Sequence, residues 1–507
     1  MSPAPEIHIS VLAPLLVVAV GAMVVLMLEV FLSRARTFLG RPMTESLVGV
    51  VIGVVSSFAL FVSLFVAGLY FSGGGSQAFD PAHPLFQLDP YSALVTAMLA
   101  LAALLSCVLS IAYLDTLRIN HGEFYALLLL SVAGMMFMVG AVDLIAVFLG
   151  LEAMSIPLYV LAGFDRRKLS SNESALKYFL IGSFASAILV YGMALLYGAT
   201  GSTSFEAIRA GFDADHPLAL IGLGLVIVGF AFKISSVPFH QWTPDVYEGA
   251  PAVVTAFMSV TVKTAAVAAL LRLVAMALGP AEALLHDVLW WLAAATVVVG
   301  NVMAVIQSNV KRLLAYSSIA HAGYILIGFV AGGPEGYSAV LFYLIVYTLM
   351  NLGAFGVVVA LAQQGQDCEK LESLAGLARS RPALAALMTL FMVSLAGIPG
   401  TAGFIGKFVV FMAAVQAGQV PLMILGVLGS VVSVYYYLRI PVLMYMREPT
   451  EEGVRMDLSS GEAVVLAFCA LFVLYLGFFP NDVYVPLLGN LPILDWTRAS
   501  VSPFFAS

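Results

Sequence analysis

Charge is scarce in this chain. Asp, Glu, Lys and Arg make up 10% of its 507 residues, whereas soluble domains carry about 25%. That scarcity excludes a protein solvated by water over most of its length. Basic blocks are also missing: the formal net charge is −7, and no Lys/Arg cluster is interleaved with aromatics, which argues against a nucleic-acid partner. Cysteine is limited to Cys107, Cys368 and Cys469, far apart and without a C-x-x-C. Neither a disulfide framework nor a zinc or Fe–S site is expected from them, and Cys107 and Cys469 read as inert buried thiols. Walker A, HExxH and GxSxG motifs are absent. The glycines of GLGLVIVG (222–229) lie inside an apolar run with no strand before them, so they do not read as a nucleotide loop. The N-terminal MSPAPEIHIS lacks a positive n-region, and the apolar run after it is too long for a signal-peptide core. The first helix is therefore expected to stay as an anchor.

What the chain has instead is hydrophobicity, 62% of its residues. A bilayer-spanning helix needs roughly 20 apolar residues. Such runs occur at approximately 8–33, 46–71, 91–114, 123–141, 143–164, 172–198, 217–237, 251–278, 285–307, 310–331, 336–363, 382–414, 419–446 and 462–479. They predict an all-α integral membrane protein of about fourteen spans, with 1–507 as a single membrane domain. Two runs are interrupted. The segment 217–237 ends at Val237-Pro238, and 382–414 is broken by Gly397, Ile398, Pro399 and Gly400, a combination that stops helices. These breaks fall fourth in each of two consecutive sets of five spans, 123–278 and 285–446. Paired broken helices point to a transport site built from internal repeats. The segment 8–114 then supplies three preceding helices, and 462–479 is the last.

Cationic residues orient the chain. With the N-terminus outside, fourteen loop cations face the cytoplasm, among them Arg118, Arg166, Arg167, Lys311, Arg312, Lys370 and Arg447, against Arg209 and Arg498 opposite. Positive residues concentrate on the cytoplasmic side of membrane proteins.

Six cations remain inside apolar runs, Lys177, Lys233, Lys263, Arg272, Lys407 and Arg439, and Glu152 is the clearest buried acid. Each central lysine costs roughly 2.5–3.5 kcal/mol if unpaired, so a chain that retains four of them uses their charge, and the default reading is an ion or proton path. Bland alternatives exist for each. Glu152, five residues before Pro157, could be a neutral acid bonded to a carbonyl. Lys177 has Glu173 four residues earlier on the same helix face, the spacing of a surface salt bridge. Lys233 stands just before the Val237-Pro238 break, where snorkelling to the interface is the competing reading. There, burial favours the neutral form of a lysine and a nearby carboxylate its charged form. His240 follows that break and could be an ordinary interfacial histidine. Lys263, between Thr261 and Thr264, has no carboxylate within a turn, so its partner must come from another helix. Lys407 follows the second break. His321, among small residues, is either a relay group or a packing histidine. Arg272 and Arg439 approach helix ends and are expected to snorkel.

At these residues the sequence resembles a known family. LEAMSIPLYVLAGF (151–164), SNESALKYFLIGSFASAILVYGMALLYGATGST (171–203), FKISSVPFHQWTPDVYEGAPAVVTAFMS (232–259), KRLLAYSSIAHAGYILIG (311–328) and GIPGTAGFIGKF (397–408) are similar to the subunit-N family of bacterial-type NADH–quinone oxidoreductase, respiratory complex I. The resemblance extends over nearly the whole chain. It implies fourteen helices with two inverted five-helix repeats and discontinuous helices 7 and 12, and a role as one of several proton-pumping membrane subunits. By matching motif, Glu152 resembles the acid of helix five, and Lys177 the helix-six lysine that modulates the pump lysine. Lys233 resembles that pump lysine, with His240 near it. Lys263 matches the central relay, with His321 in the motif after it, and Lys407 the connecting or exit lysine. NADH, FMN, Fe–S clusters and quinone belong to partner subunits of such a complex, and none is expected to bind this chain. Charge moving on a Glu152–Lys177 pair would alter the proton affinity of Lys233, and the proton would pass by water and Lys263 towards Lys407. The three N-terminal helices, lost in some animal counterparts, favour a bacterial inner membrane with a periplasmic N-terminus. The competing readings are a subunit of a multisubunit Na+/H+ antiporter or membrane-bound hydrogenase, a structural scaffold with immobile lysines, and a substrate carrier.

Overall fold

A computed structural model of the chain describes residues 7–34, 37–38, 41–42, 44–362, 369–448, 458–481, 483–485 and 489–505. Cys368 lies outside the described residues. Lipid offers no partner to backbone N–H and C=O groups, so an apolar chain must satisfy them within itself, as helix. The helices are α1 (Ala13–Arg34), α2 (Glu45–Gly73), α3 (Pro90–Leu117), α4 (Gly122–Gly140), α5 (Leu144–Ala162), α6 (Leu169–Thr200), α7 (Phe205–Gly211), α8 (Pro217–Ile234), α9 (Trp242–Gly249) and α10 (Ala252–Ala277). They continue with α11 (Glu282–Val305), α12 (Val310–Ala331), α13 (Gly333–Ala360), α14 (Leu377–Ser380), α15 (Pro382–Ala396), α16 (Ala402–Gln416), α17 (Val420–Met446), α18 (Ser460–Phe478) and α19 (Ile493–Val501). Among the described residues thirteen are long and apolar enough to cross a membrane, and α15 and α16 are two shorter apolar helices on either side of the second break. The all-helical membrane architecture expected from the apolar runs is the one observed. Polar residues start several spans: Asp89 and Ser92 form a reciprocal capping box on α3, as do Ser459 and Glu462 on α18, and Asn309 caps α12. Each satisfies amide groups that the first helical turn leaves without partners.

Helices α10 and α12 are buried along their entire spanning core, and α13 nearly so. The outer helices show Phe58, Phe65, Phe184 and Val431 to the surroundings. This leaves the polar side chains of the three central helices enclosed by protein.

Both interrupted spans are broken where proline and glycine stand. Helix α8 stops at Ile234, Ser235 takes a left-handed conformation (φ 68°), Val237-Pro238 is cis, and α9 adds two further turns. Helix α15 stops at Ala396, and Gly397 (φ 83°) and Gly400 (φ 88°) turn the chain into α16, a conformation glycine adopts without steric cost. The seventh run is thus helical to residue 234 rather than 237, with its second half beyond the polar stretch. Residues 77–88, in the glycine-rich loop, form a two-stranded hairpin. The tail folds back, with the Phe504 ring 4.9 Å from Tyr91.

Candidate functional site: a buried file of lysines

The first station is built by α5, α6 and α8. Lys233 lies in the last turn of α8 and is 2% exposed. Its ammonium donates to Ser155 Oγ at 2.7 Å, and the Ser155 hydroxyl donates to the Leu151 carbonyl at 2.5 Å. Rings of Tyr159, Tyr178 and Phe232 surround Nζ at 5.7–5.8 Å, each face attracting a cation through its quadrupole. Pro157, lacking an N–H, leaves the Ala153 carbonyl of α5 without its intrahelical donor. Glu152, one turn before Ser155, accepts from Ser186 Oγ of α6 at 2.5 Å.

Lys177 does not meet Glu152. Among the described residues its ion partners are Glu173 at 2.8 Å, at the i,i+4 spacing, and Asp245 of α9, also at 2.8 Å. The expected Glu152–Lys177 contact is therefore replaced by one with α9. Asp245 also accepts from Arg312 Nη1 of α12 at 2.8 Å, and the same nitrogen donates to Glu248 at 2.7 Å. Glu248 in turn accepts from the Asn309 amide at 3.1 Å.

The second station lies where α10, α12 and α13 meet. Lys263 is 2% exposed and donates to the carbonyl and hydroxyl oxygens of Ser318. Its partner thus comes from another helix and is a serine, not a carboxylate. Tyr347 donates to the same Ser318 hydroxyl at 2.9 Å, and its ring lies 5.2 Å from the lysine nitrogen. One turn further along α12, His321 Nδ1 and Nε2 meet the hydroxyls of Tyr343 (2.7 Å) and Tyr437 (3.0 Å). Tyr437 also bonds Ser317. The adjacent Tyr436 donates to Asn301 Oδ1 at 3.0 Å, and Asn301 donates to Tyr324 at 3.2 Å.

The third station is the break in the twelfth span. Lys407, 3% exposed, donates to the carbonyls of Leu395 (3.0 Å) and Ala396 (2.9 Å) and to Ser430 Oγ (2.8 Å). Those carbonyls end α15, where the intrahelical donors run out and the helix dipole is negative. The Tyr324 ring sits 4.9 Å from the Lys407 nitrogen, so the tyrosine cluster reaches this lysine through a ring face. A cavity of about 440 Å³, lined by Phe404, Phe408, Phe411 and Val431 among others, opens beside it.

Arg272 and Lys311 differ from expectation. Arg272 does not snorkel: it is fully enclosed and bonded to Asp89 of α3 and, at 2.7 Å, to the Val139 carbonyl of α4. Its Cα lies near the end of α10, but α3 and α4 close over that end. Lys311, counted among the loop cations, is buried and donates to the Ala250 carbonyl at 3.0 Å. Arg439 donates to the Gln307 carbonyl at 3.0 Å. His240 sits in the first break, its Nδ1 buried without a hydrogen-bond partner among the described residues. Lys233 and Lys263 make no direct hydrogen bond to one another. Sequence reasoning missed Asp245, Glu248, Arg312, Ser155 and Ser318. The carboxylates of WTPDVYEG stand three residues apart after a broken span, which was the available signal for the first two.

A family model for NADH:quinone oxidoreductase/Mrp antiporter transmembrane proteins matches residues 141–433. The chain is 44% identical over 482 residues to NADH-quinone oxidoreductase subunit N of Trichlorobacter lovleyi, spanning 94% of this chain and 96% of that one. It is 41% identical over 497 residues to subunit N of Chloroflexus aggregans, spanning 97% and 98%. It superposes on a chain of respiratory complex I from Thermus thermophilus with bound aureothin with a TM-score of 0.76 at 36% identity, over 92% of this chain and 97% of that chain. A chain of the Mrp complex from Dietzia gives a TM-score of 0.81 at 23% identity, over 97% of each, a likeness of fold alone.

Proposed function

Since this chain belongs to the NADH:quinone oxidoreductase/Mrp antiporter family, and within it to the subunit-N group, we propose a proton relay of Glu152, Lys177, Lys233, Lys263 and Lys407, in which Glu152 and Lys177 modulate and Lys233, Lys263 and Lys407 carry the proton, with His321 and His240 as lesser members. It is a multi-pass, proton-translocating membrane subunit of a respiratory NADH-quinone oxidoreductase, working with the other subunits of that complex. Redox cofactors reside in those partners, and this chain binds none of NADH, FMN, Fe–S clusters or quinone. Residues 123–278 and 285–446 act as two inverted five-helix repeats, each centred on a broken span, with 8–114 before them and 462–479 after. The chain resides in a bacterial inner membrane with its N-terminus on the periplasmic side.

One observation carries this relay. The ammonium groups of Lys233, Lys263 and Lys407 are all enclosed, and their hydrogen-bond acceptors are hydroxyls and carbonyls rather than carboxylates. A salt-bridged lysine holds its proton. A serine hydroxyl accepts from an ammonium and donates to a neutral amine, so both protonation states keep a partner at Lys233 and Lys263. In hydrocarbon such groups are retained where ions or protons pass. Charge displaced near Glu152 and Lys177 by events in partner subunits then changes how firmly Lys233 holds its proton, and the proton moves by way of Lys263 and the His321 cluster to Lys407. Lys233→Ala or Lys263→Ala is expected to lower the ratio of protons moved to NADH oxidised while the complex still assembles. Measured in sealed vesicles, an unchanged ratio in both variants refutes the relay.

A further inference from the structure

Eight residues long, α9 touches the surroundings of Lys233, of Lys177 and of the start of α12 at once. Its first residue, Trp242, donates from the indole nitrogen to the Phe232 carbonyl at 3.0 Å, the peptide immediately before Lys233. The same indole stacks on Tyr178 at 4.7 Å with an interplanar angle of 8°, and Tyr178 is one wall of the Lys233 cage. One turn on, Asp245 binds Lys177 through Oδ2 and Arg312 through Oδ1. At the far end Glu248 holds Arg312 and Asn309, the residue that caps α12. The helix lies hard against α6: a Cβ at Gly249 would come within 2.4 Å of the Ser170 carbonyl, and Ser174 donates to the Val246 carbonyl at 3.2 Å.

From this arrangement we infer that Asp245 is the alternate partner of Lys177, a positioning residue that holds the lysine away from Glu152 and couples that docked state to both repeats. The inference rests on the relay proposed above and names the group that regulates its first station. Lys177 bears one ammonium and is served by acids on two sides. Glu173 belongs to the same helix and moves with it, so it does not discriminate between positions of the lysine. Asp245 belongs to a different segment, and Arg312 of α12 fixes its second oxygen, so its carboxylate does not follow Lys177 when the lysine leaves. Departure of Lys177 leaves Asp245 paired with Arg312 alone. The change is then felt at the N-terminal turn of α12, the helix that carries Ser318 and His321, and at Trp242 beside Lys233. A two-turn helix held at three points transmits such a change as a unit.

The test is a double-mutant cycle on the whole complex in native membranes, with NADH-driven proton pumping normalised to assembled complex. The pair is partly solvated, with side-chain exposures of 40% for Lys177 and 34% for Asp245, so Asp245→Asn and Lys177→Met should each slow pumping by roughly two- to fivefold, the scale of an exposed ion pair. The double variant should be no slower than the slower single one, and Asp245→Glu should restore most of the rate. Unchanged pumping in Asp245→Asn, or losses that multiply in the double variant, overturns the inference. If Asp245→Asn fails to assemble, Asp245→Glu is placed on the Lys177→Met background instead, where any further loss overturns it. Lys233→Ala, run alongside, separates the two levels. Normal pumping there refutes the relay itself, whereas a blocked pump with multiplying losses refutes only the role of Asp245.

Discussion

In the proposed relay Lys407 would do two jobs, which one substitution removes together and another separates. Its ammonium supplies donors to the Leu395 and Ala396 carbonyls at 3.0 and 2.9 Å, which end the first half of the twelfth span, and to Ser430 at 2.8 Å. Lys407→Ala leaves the Leu395 carbonyl without that donor, while the Ala396 carbonyl keeps the Ser430 hydroxyl at 3.2 Å. A buried polar group left unpaired costs about 1–3 kcal/mol, so the break loses about that much. Arginine keeps the donors and the charge but never releases its proton. The cavity of about 440 Å³ beside Lys407 has room for a guanidinium. Lys407→Arg is therefore expected to preserve thermal stability and assembly while stopping transfer. A proton crossing that stretch without a base to hold it meets a charge cost of roughly 2.5–3.5 kcal/mol at the bilayer centre, about a hundredfold in rate. The assay is NADH-driven acidification by purified complex in proteoliposomes, beside a thermal melt of the same sample. Wild-type proton-to-electron ratios in Lys407→Arg would refute its place on the path, and an unchanged melt in Lys407→Ala would refute its part in closing the helix break.

Two structural predictions are independent of proton movement. Breaking the enclosed Asp89–Arg272 pair by Asp89→Asn should destabilise the chain by roughly 3–5 kcal/mol, because a guanidinium is left buried without its counter-charge. Substituting both members for neutral residues of similar volume should cost less, and equal melting temperatures for Asp89→Asn and wild type would show the pair to be idle. Gly403 lies where the halves of the twelfth span pass each other, and a Cβ there would stand 1.8 Å from the Ser394 carbonyl. Gly403→Ala should thus lower thermal stability by about 1–3 kcal/mol through overpacking; a neutral effect would mean that the halves part more readily than their spacing indicates.

Much of the fold was legible in the sequence because hydrocarbon imposes so few solutions. A run of twenty apolar residues has to be a helix, and Gly397 to Gly400 has to interrupt one, whatever surrounds them. The burial of Lys263 could likewise be anticipated, since a lysine in the middle of a span has no water within reach. Contacts between helices were less legible. Arg272 occupies a position from which a lone helix would let it snorkel, and only the closure of α3 and α4 over that end encloses it. Lys177 offered two readings at the sequence level, a local pair with Glu173 and a pair with Glu152. Its actual second partner, Asp245, lies 68 residues away, on a two-turn helix too short and too polar to register as part of a span. The serines were hidden for a different reason. Ser155 and Ser318 look like any small residue in a packed helix, and their value depends on which lysine stands opposite.

The two helix breaks are used in opposite ways, and this bears on where the machine moves. In the seventh span the lysine precedes the break, in the last turn of α8; in the twelfth it follows the break, inside α16. Lys407 therefore reaches back across its break and ties the two halves together through two main-chain carbonyls and a serine on α17. Among the described residues Lys233 ties nothing across its break, since its one hydrogen bond there runs sideways to Ser155 on α5. What joins the halves of the seventh span is Trp242, through the Phe232 carbonyl, along with a Thr243 to Ser235 hydroxyl contact of 2.7 Å. An ammonium with three fixed acceptors is held in place. One with a single hydroxyl and aromatic walls can swing without leaving an acceptor of comparable strength behind, because ring faces attract a cation over a broad area rather than along one direction. Conformational freedom is thus concentrated at the first break. That break lies beside α9, the segment proposed above to sense Lys177, and in the proposed relay the second break would be the rigid end of the file.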